Sequence, residues 1–536
     1  MPGIGFVRRP AGKQEMLPGR QKGKILMEDF SRDHTVREKP GQTDCNSAAE
    51  KGSAEISVCG TPVCDFIRAY QAQNVLRLHM PGHKGQGFPE ALDVTEIRGL
   101  DPLYPAAGVI LESEKNAAAL FGSGRTVYSA EGSSLCIRAM LFLARMRAER
   151  LGIRPLILAG RNAHRTFLSA AALLGLEVRW LKGENLLTCR PSAEAVAAAL
   201  DEPCDGEDAC GSPEDRRSRE DYPVREQPRP CLEEDGALPS SAFAAVYLTS
   251  PDYLGHRADI RAVAAVCRRR GVPLLVDNAH GAYLRFLEED MHPLSLGADM
   301  TCDSAHKTLP VLTGGAYLHI HQAADPFFAL QADRAMALFA STSPSWLILQ
   351  SLDRCNAYLS GDYRNRLADF VSRVAALKQR LQALGFETEG DEPLKITLRT
   401  KSCGYTGDQL HDLLRIRNME CEFSDPDYLV MMVTPGLGAD GLERIAEALE
   451  EIPRKAPIAE APPEIPAPRQ VMPLARAMTA PADILPAEES LGRILSAPGV
   501  SCPPAVPILI SGERIDEAAL RCFRYYGIKE ISCVSL

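Results

Sequence analysis

Between residues 117 and 330, short apolar runs alternate with Ala/Leu/Arg-rich stretches of helical character, and this alternation narrows the possible folds more than any other feature. The runs are Arg154-Pro-Leu-Ile-Leu-Ala, Ala244-Ala-Val-Tyr-Leu-Thr, Val272-Pro-Leu-Leu-Val-Asp and Gly315-Ala-Tyr-Leu-His-Ile. A strand with one wet face alternates apolar and polar residues, whereas a continuous apolar run belongs to a strand covered on both faces. Interleaved with helices, such strands predict a mostly parallel sheet between helical layers, an α/β architecture.

After Ala357 the pattern changes. Ala368–Leu384 is amphipathic, Leu394-Lys-Ile-Thr-Leu and Tyr428-Leu-Val-Met-Met-Val read as strands, and Gln409–Arg417 and Leu442–Ile452 read as helices. A chain of 536 residues exceeds what one hydrophobic core serves. We therefore expect a large domain over 59–330, a smaller α+β domain over 331–456, a Pro-rich linker over 457–470 and a short C-terminal segment over 471–536. Residues 1–58, rich in Gly, Lys, Glu and Ser, read as a disordered tail. The stretch 201–240 carries 13 acidic and 5 basic residues without periodicity, so it reads as a surface insertion within the large domain.

The net charge of −10 argues against a nucleic-acid partner, which requires a basic face. No apolar run reaches the roughly 18 residues of a membrane span, and the first residues lack the apolar stretch of a secretory signal. The 16 cysteines are scattered singly, with no CxxC and no zinc-ligand spacing, so reduced thiols, no metal site and a cytoplasmic location are expected.

Chemistry concentrates in Asp303-Ser304-Ala305-His306-Lys307-Thr308-Leu309-Pro310, followed by Thr313-Gly314-Gly315-Ala316. A lysine among small and hydroxylated residues, just after a short strand ending Ala298-Asp299-Met300, is poor helix or strand material. It suits a tight loop in which an amine approaches a ligand. Burial and cationic neighbours lower a lysine's pKa, leaving an amine that condenses with a carbonyl. A single lysine is ordinarily a solvated charge, but a second signal precedes it. Val276-Asp277-Asn278-Ala279-His280-Gly281 places a carboxylate at the end of a buried strand, where α/β sheets bind ligands. Such a carboxylate can keep a pyridine nitrogen protonated, and a pyridinium ring is the electron sink of pyridoxal 5′-phosphate (PLP) chemistry. The ion pair would in turn keep Asp277 charged despite burial.

Ser129-Ala130-Glu131-Gly132-Ser133-Ser134 opens a helix over Leu135–Arg147 and offers N–H groups, hydroxyls and a positive dipole end to a phosphate, although a plain N-cap has the same composition. Ser304 and His306 converge on that phosphate from the lysine loop. His164 follows another strand, where its imidazole either stacks on the pyridine ring or serves the structure.

Together with Arg77-Leu-His-Met-Pro-Gly-His-Lys-Gly and Asp93-Val-Thr-Glu-Ile-Arg-Gly-Leu-Asp-Pro-Leu-Tyr, the Asp277 and Lys307 motifs resemble the Orn/Lys/Arg decarboxylases. The resemblance runs from about Thr61 to Ile452, with a weaker echo to Ile515, and looks like the short form without an N-terminal wing domain. It implies a fold-type I PLP-dependent transferase-like large domain and a homodimer or higher homo-oligomer. It implies Lys307 as the cofactor-bearing lysine, Asp277 as the ring-nitrogen partner, His164 and Ala279 on the two ring faces, and Ser133, Ser134, Ser304 and His306 at the phosphate. His79, His83 and the Asp101–Tyr104 loop match segments bordering the site. The implied reaction is α-decarboxylation of arginine, lysine or ornithine to an amine of polyamine metabolism. His280, His306 or Lys307 would deliver the proton. Glu513, Asp101, Glu420, Glu422 and Asp427 are candidate acceptors for the substrate's distal cation. Cys502-Pro-Pro-Ala-Val-Pro-Ile-Leu-Ile-Ser-Gly-Glu513 departs from the family's segment there by lacking a Tyr, a Gly and a Pro, which leaves the substrate open. The cofactor residues alone would equally serve an aminotransferase or aldolase, and a non-catalytic regulatory relative is a further alternative.

Overall fold

Seven strands, β1 (Arg125–Ser129), β2 (Leu156–Ala159), β3 (Glu177–Trp180), β4 (Phe243–Thr249), β5 (Leu274–Asp277), β6 (Met300–Asp303) and β7 (Ala316–Ile320), form one sheet in the order β1-β7-β6-β5-β4-β2-β3. This computed structural model describes residues 59–536 except 79, 82, 96, 101, 182–189, 203–242, 465–467, 503–505 and 536. The expected tail and nearly all of the acidic insertion lie outside the described residues. β7, itself one of the apolar runs, is antiparallel to β1 and β6, and the other pairs are parallel, so the sheet is mixed and not uniformly parallel. Every residue of β2, β5, β6 and β7 is buried.

The helices are α1 (Pro62–Ala72), α2 (Gly108–Phe121), α3 (Gly132–Leu151), α4 (Arg165–Leu173), α5 (Ala193–Asp201), α6 (Ile260–Arg269), α7 (Ala305–Thr308), α8 (Pro326–Phe339), α9 (Trp346–Ser360) and α10 (Tyr363–Ala383). Successive strand residues face opposite layers. Ile157 and Leu275 pack with Met140 of α3, Phe167 of α4 and Phe328 of α8. Their neighbours Leu158 and Leu274 pack with Val196 of α5 and Val263 of α6. The two-sided burial inferred from composition is thus realised as two apolar layers.

A second sheet, β8 (Glu387–Glu389), β9 (Lys395–Arg399), β10 (Phe423–Ser424) and β11 (Tyr428–Met432), is antiparallel in the order β10-β11-β9-β8. It is accompanied by α11 (Gly407–Arg415), whose start is fixed by a reciprocal Thr406/Gln409 capping box, and by α12 (Gly438–Glu450). Ile396 and Leu398 of β9 join the core around α10. Lys395 and Thr397, on the other face of the strand, donate instead to the carbonyls of Asp252 (3.0 Å) and Leu254 (2.9 Å) in the loop after β4.

Among its described residues the Pro-rich stretch has no helix or strand, yet it is tied down: Ile458 N donates to Lys401 O and, just before the stretch, Lys455 N to Cys403 O. Beyond it, the chain expected to be a short segment builds a core of its own. α13 (Leu474–Thr479), β12 (Ala482–Pro486), β13 (Gly499–Cys502), β14 (Val506–Ile510), α14 (Glu517–Tyr525) and β15 (Glu530–Val534) form two antiparallel strand pairs around Leu495, Ile508, Leu520, Phe523 and Ile531. Leu474 and Ile510 plug into the α3/α4 layer.

A buried bidentate ion pair fastens this region to the large sheet. Arg161 Nη1 and Nη2 donate to Glu513 Oε1 and Oε2 at 2.7 and 2.8 Å, and Ile510 N donates to Oε2 at 2.7 Å. Breaking a buried pair strands a charge, whereas replacing both partners by apolar groups is often neutral. Glu513→Met should therefore cost about 3–5 kcal/mol in chemical denaturation, and the double variant R161M/E513M should regain most of that loss. A double variant no more stable than the single would show that the pair does not hold the region in place.

Candidate active site

The carboxyl ends of β2, β4 and β5, together with the turn after β6, surround a cleft with about 630 Å³ of empty space, its mouth open to solvent included. Asp277 ends β5 and is 2 % exposed. Its carboxylate accepts from neutral donors: Tyr247 Oη at 3.2 Å, Ala279 N at 3.1 Å and Cys302 Sγ at 3.5 Å. Burial, then the charge of Asp277, pushes the Tyr247 phenol far up, so it stays a donor.

Lys307 lies on the single helical turn α7 and not in an irregular loop. The strand before it, expected to end at Met300, instead begins there and runs to Asp303, where Cys302 pairs with Asp277 and Asp303 with Tyr317. Burial lowers the Lys307 pKa, with Asp277 and Glu422 opposing. Its Nζ lies 2.8 Å from His280 Nε2. His280 is buried, and burial, then Lys395 and Lys307, push its imidazole well below the ordinary histidine range. Its Nδ1 lies 2.8 Å from Nζ of Lys395, a residue 2 % exposed.

At the other end of the cleft, α3 starts without a side-chain cap. Ser133 lines the cleft and accepts from Ser304 Oγ at 2.8 Å, while Ser134 Oγ lies 3.2 Å from Thr166 Oγ1. The Gly-Gly pair has a geometric reason. Gly314 sits at φ +100° with its carbonyl accepting from Gly132 N at 2.7 Å, and a Cβ there would come within 2.9 Å of Ala130 O. His306 turns towards Gly315, its Nδ1 lying 3.1 Å from that carbonyl oxygen. His164 caps α4, with Nδ1 accepting from Thr166 N, and its ring lines the cleft alongside Ala279. Ser133, His164, Asp277, Ala279, His280 and Lys307 thus share one cleft; Ser134, Ser304 and His306 do not line it.

These residues suit PLP. The uncapped α3 N-terminus with its hydroxyls suits a phosphate. The buried carboxylate of Asp277 suits a protonated ring nitrogen. Thr249 Oγ1, buried at the cleft wall without a hydrogen-bond partner, awaits a polar group.

The acidic candidates separate clearly. Glu513 is consumed by Arg161. Glu420 pairs at the surface with Arg415, and Asp427 with Lys401 and Tyr525. Asp101 and His79 lie outside the described residues. Glu422 accepts from Tyr253 Oη at 3.1 Å, and Tyr253 lines the cleft. His83 pairs with Asp93 at 3.3 Å outside the cleft lining, and Tyr104 donates to Tyr128 O at 2.6 Å.

Below the cleft, His292, Asp303 and His319 bring ligand-type atoms within 4.8 Å of one another. Their bonding is that of a brace. His292 Nδ1 accepts from Leu294 N, so its Nε2 carries the proton donated to Asp303 at 2.8 Å. Asn278 also donates to Asp303, at 2.9 Å, which ties the residue after Asp277 to the residue before Ser304. Burial alone would raise the Asp303 carboxyl, but His292 and His319 outweigh it and hold it below the carboxylate range.

Sequence reasoning missed Thr249, Asp252, Tyr253 and Lys395. Thr249 ends β4 and Asp252 and Tyr253 follow it, the same strand-end position that singled out Asp277, so that rule applied to every apolar run would have found them. Lys395 carried a fainter signal, a lysine on the second face of a strand whose first face is apolar.

Known proteins resemble this chain in sequence and in fold. Residues 232–445 match the family described as Orn/Lys/Arg decarboxylase, major domain. The chain is 27 % identical to the Bacillus subtilis protein YaaO, covering 86 % of this chain and 93 % of that one. It is 26 % identical to an arginine decarboxylase of Halalkalibacterium halodurans, covering 87 % and 93 %. The fold matches the lysine decarboxylase LdcF of Francisella novicida with a TM-score of 0.67 at 14 % identity, over 90 % of this chain and 82 % of that one. With a family match that includes Asp277 and Lys307, and relatives aligned along most of its length, this chain is similar to the Orn/Lys/Arg decarboxylases.

Proposed function

We propose that the protein removes the α-carboxyl group of a basic amino acid with PLP, and that arginine is the preferred substrate. The observation that carries the reading is the gathering of Lys307, Asp277, His164 and Ser133 around one cleft, with Glu422 beside it. Arginine leads because similar proteins are named arginine decarboxylases over 85–87 % of this chain. PLP supplies the electron sink for the charge left when CO2 departs. In this reading Asp277 holds the ring nitrogen, His164 and Ala279 flank the ring, and Ser133 and the α3 N-terminus, backed by Ser134, Ser304 and His306, hold the phosphate. Lys307 contributes its amine, and His280, 2.8 Å from that amine, moves the proton. Glu422 receives the distal cation. Tyr253 already orients its carboxylate, whereas the other described candidates are engaged elsewhere.

The test is to supply PLP and, separately, arginine, lysine and ornithine, and to measure CO2 and amine. Amine product is expected, fastest from arginine. Keto acid or aldehyde in its place would mean transamination or aldol cleavage, and no product at all would point to a non-catalytic role. Glu422→Gln should then raise KM by roughly 10- to 100-fold and move kcat much less, the cost of removing a charged hydrogen-bond partner. An unchanged KM would remove Glu422 from the substrate site.

The protein is further proposed to act in the cytoplasm as a homodimer or larger homo-oligomer. Among the described residues ten cysteines are free and no helix is long and apolar enough to cross a membrane, which supports the first point. Leu76, Leu78 and Phe88, 80–85 % exposed around the Arg77 motif, form an apolar face that suits a second copy. A monomer mass in sedimentation would count against the assembly.

A further inference from the structure

His280 is held between two lysine amines, and that arrangement restricts protonation in a way neither lysine does alone. Its Nδ1 lies 2.8 Å from Lys395 Nζ and its Nε2 lies 2.8 Å from Lys307 Nζ. A neutral imidazole has one N–H and one lone pair, and an ammonium can only donate. Both contacts are hydrogen bonds only if the lysine facing the imidazole N–H is a neutral amine. The imidazole tautomer therefore reports which lysine has given up its proton.

The surroundings of Lys395 favour the charge there. Its Nζ also donates to Asp252 O at 3.0 Å and lies 5.6 Å from the centre of the Tyr253 ring, two partners suited to an ammonium. The carboxylates of Glu392 and Asp252 add to this. With Lys395 charged, His280 accepts at Nδ1, carries its proton on Nε2, and presents it to Lys307.

We propose that Lys395 is a positioning residue that acts through His280: it fixes the Nε2–H tautomer, thereby keeping Lys307 a neutral and nucleophilic amine, and it returns a proton to Lys307 through the imidazole. In the return step Lys307 Nζ takes the proton from His280 Nε2 while His280 Nδ1 takes one from Lys395. One proton has then moved from Lys395 to Lys307, the tautomer has reversed, and the total charge is unchanged. Burial brings Lys395 down to about 8 against the pull of Glu392 and Asp252, so it can release a proton near neutrality. Asp277 and Glu422 also face Lys307, and His164 and His306 face His280; these groups set the background on which Lys395 acts.

The proposal rests on the reading of Lys307 as the reactive amine, but it is tested without turnover. Trace acetic anhydride labelling of the full chain freed of PLP, read by mass spectrometry, gives the pH midpoint of Lys307. Lys395→Met should move that midpoint up by about one unit, so that labelling at neutral pH falls roughly 10-fold. Lys395→Arg, a permanent donor to Nδ1, should keep the original midpoint. A purely structural Lys395 would leave the midpoint unmoved in K395M, and that result would overturn the proposal. Should K395M fail to fold, the ¹⁵N signals of His280 in the unaltered protein decide: Nε2–H is expected, and Nδ1–H would overturn it. Failure here leaves the decarboxylase reading intact, and absence of amine product leaves the labelling result intact.

Discussion

Replacing Lys307 by alanine should abolish amine formation, with a fall of at least ~10⁴-fold in kcat, because the proposed nucleophile and a proton carrier vanish together. The same variant should lose the visible absorbance that PLP acquires on the wild-type protein. The two readouts share a cause but fail separately. Persistence of the absorbance would mean that another amine carries the cofactor, and His280, 2.8 Å away, would then be next to the wrong lysine. Folding should be little affected: Lys307 is only half-buried, and α7 is held by its neighbours, with Leu309 N donating to Ala305 O and His306 N to Gly315 O.

Asp277→Asn should be nearly as damaging for a different reason. The amide keeps one oxygen, for Tyr247 or for Ala279, which donate to different carboxylate oxygens, and it cannot be an anion. A ring nitrogen facing it would lose the charge that keeps it protonated, in a place 2 % exposed to water. Leaving one side of a buried pair uncompensated costs about 3–5 kcal/mol, or roughly 10²- to 10⁴-fold in kcat/KM. Asp277→Glu should recover part of the loss by restoring the charge with imperfect reach. Steady-state kinetics with arginine decides, and an Asn variant within about 3-fold of wild type would detach Asp277 from the electron sink.

Both residues were visible in the sequence because each sits where a local rule breaks: a carboxylate closing a run of buried aliphatics, and a lysine amid small residues. The sheet was legible for the same reason, since continuous apolar runs at β2, β4, β5 and β7 admit few alternatives. What stayed hidden depends on pairing across long separations. Glu513 looked like an acceptor for substrate because its partner Arg161 lies 352 positions away, and nothing near either residue announces the match. Lys395 reads as one polar position in an amphipathic strand until the loop after β4 covers that face. The turn around Lys307 was misread in form because Ala305–Thr308 has too few residues for periodicity to register.

The clamp between Arg161 and Glu513 also imposes an order on synthesis. At 5–20 residues per second, Glu513 follows Arg161 out of the ribosome by roughly 20 to 70 seconds. During that interval the sheet, Asp277 and Lys307 have been made, but Val506, which lines the cleft, and the region anchored by Glu513 have not. A nascent chain therefore carries a half-walled pocket with an unpaired arginine beside it. A stalled or shortened chain keeps that side of the cleft open.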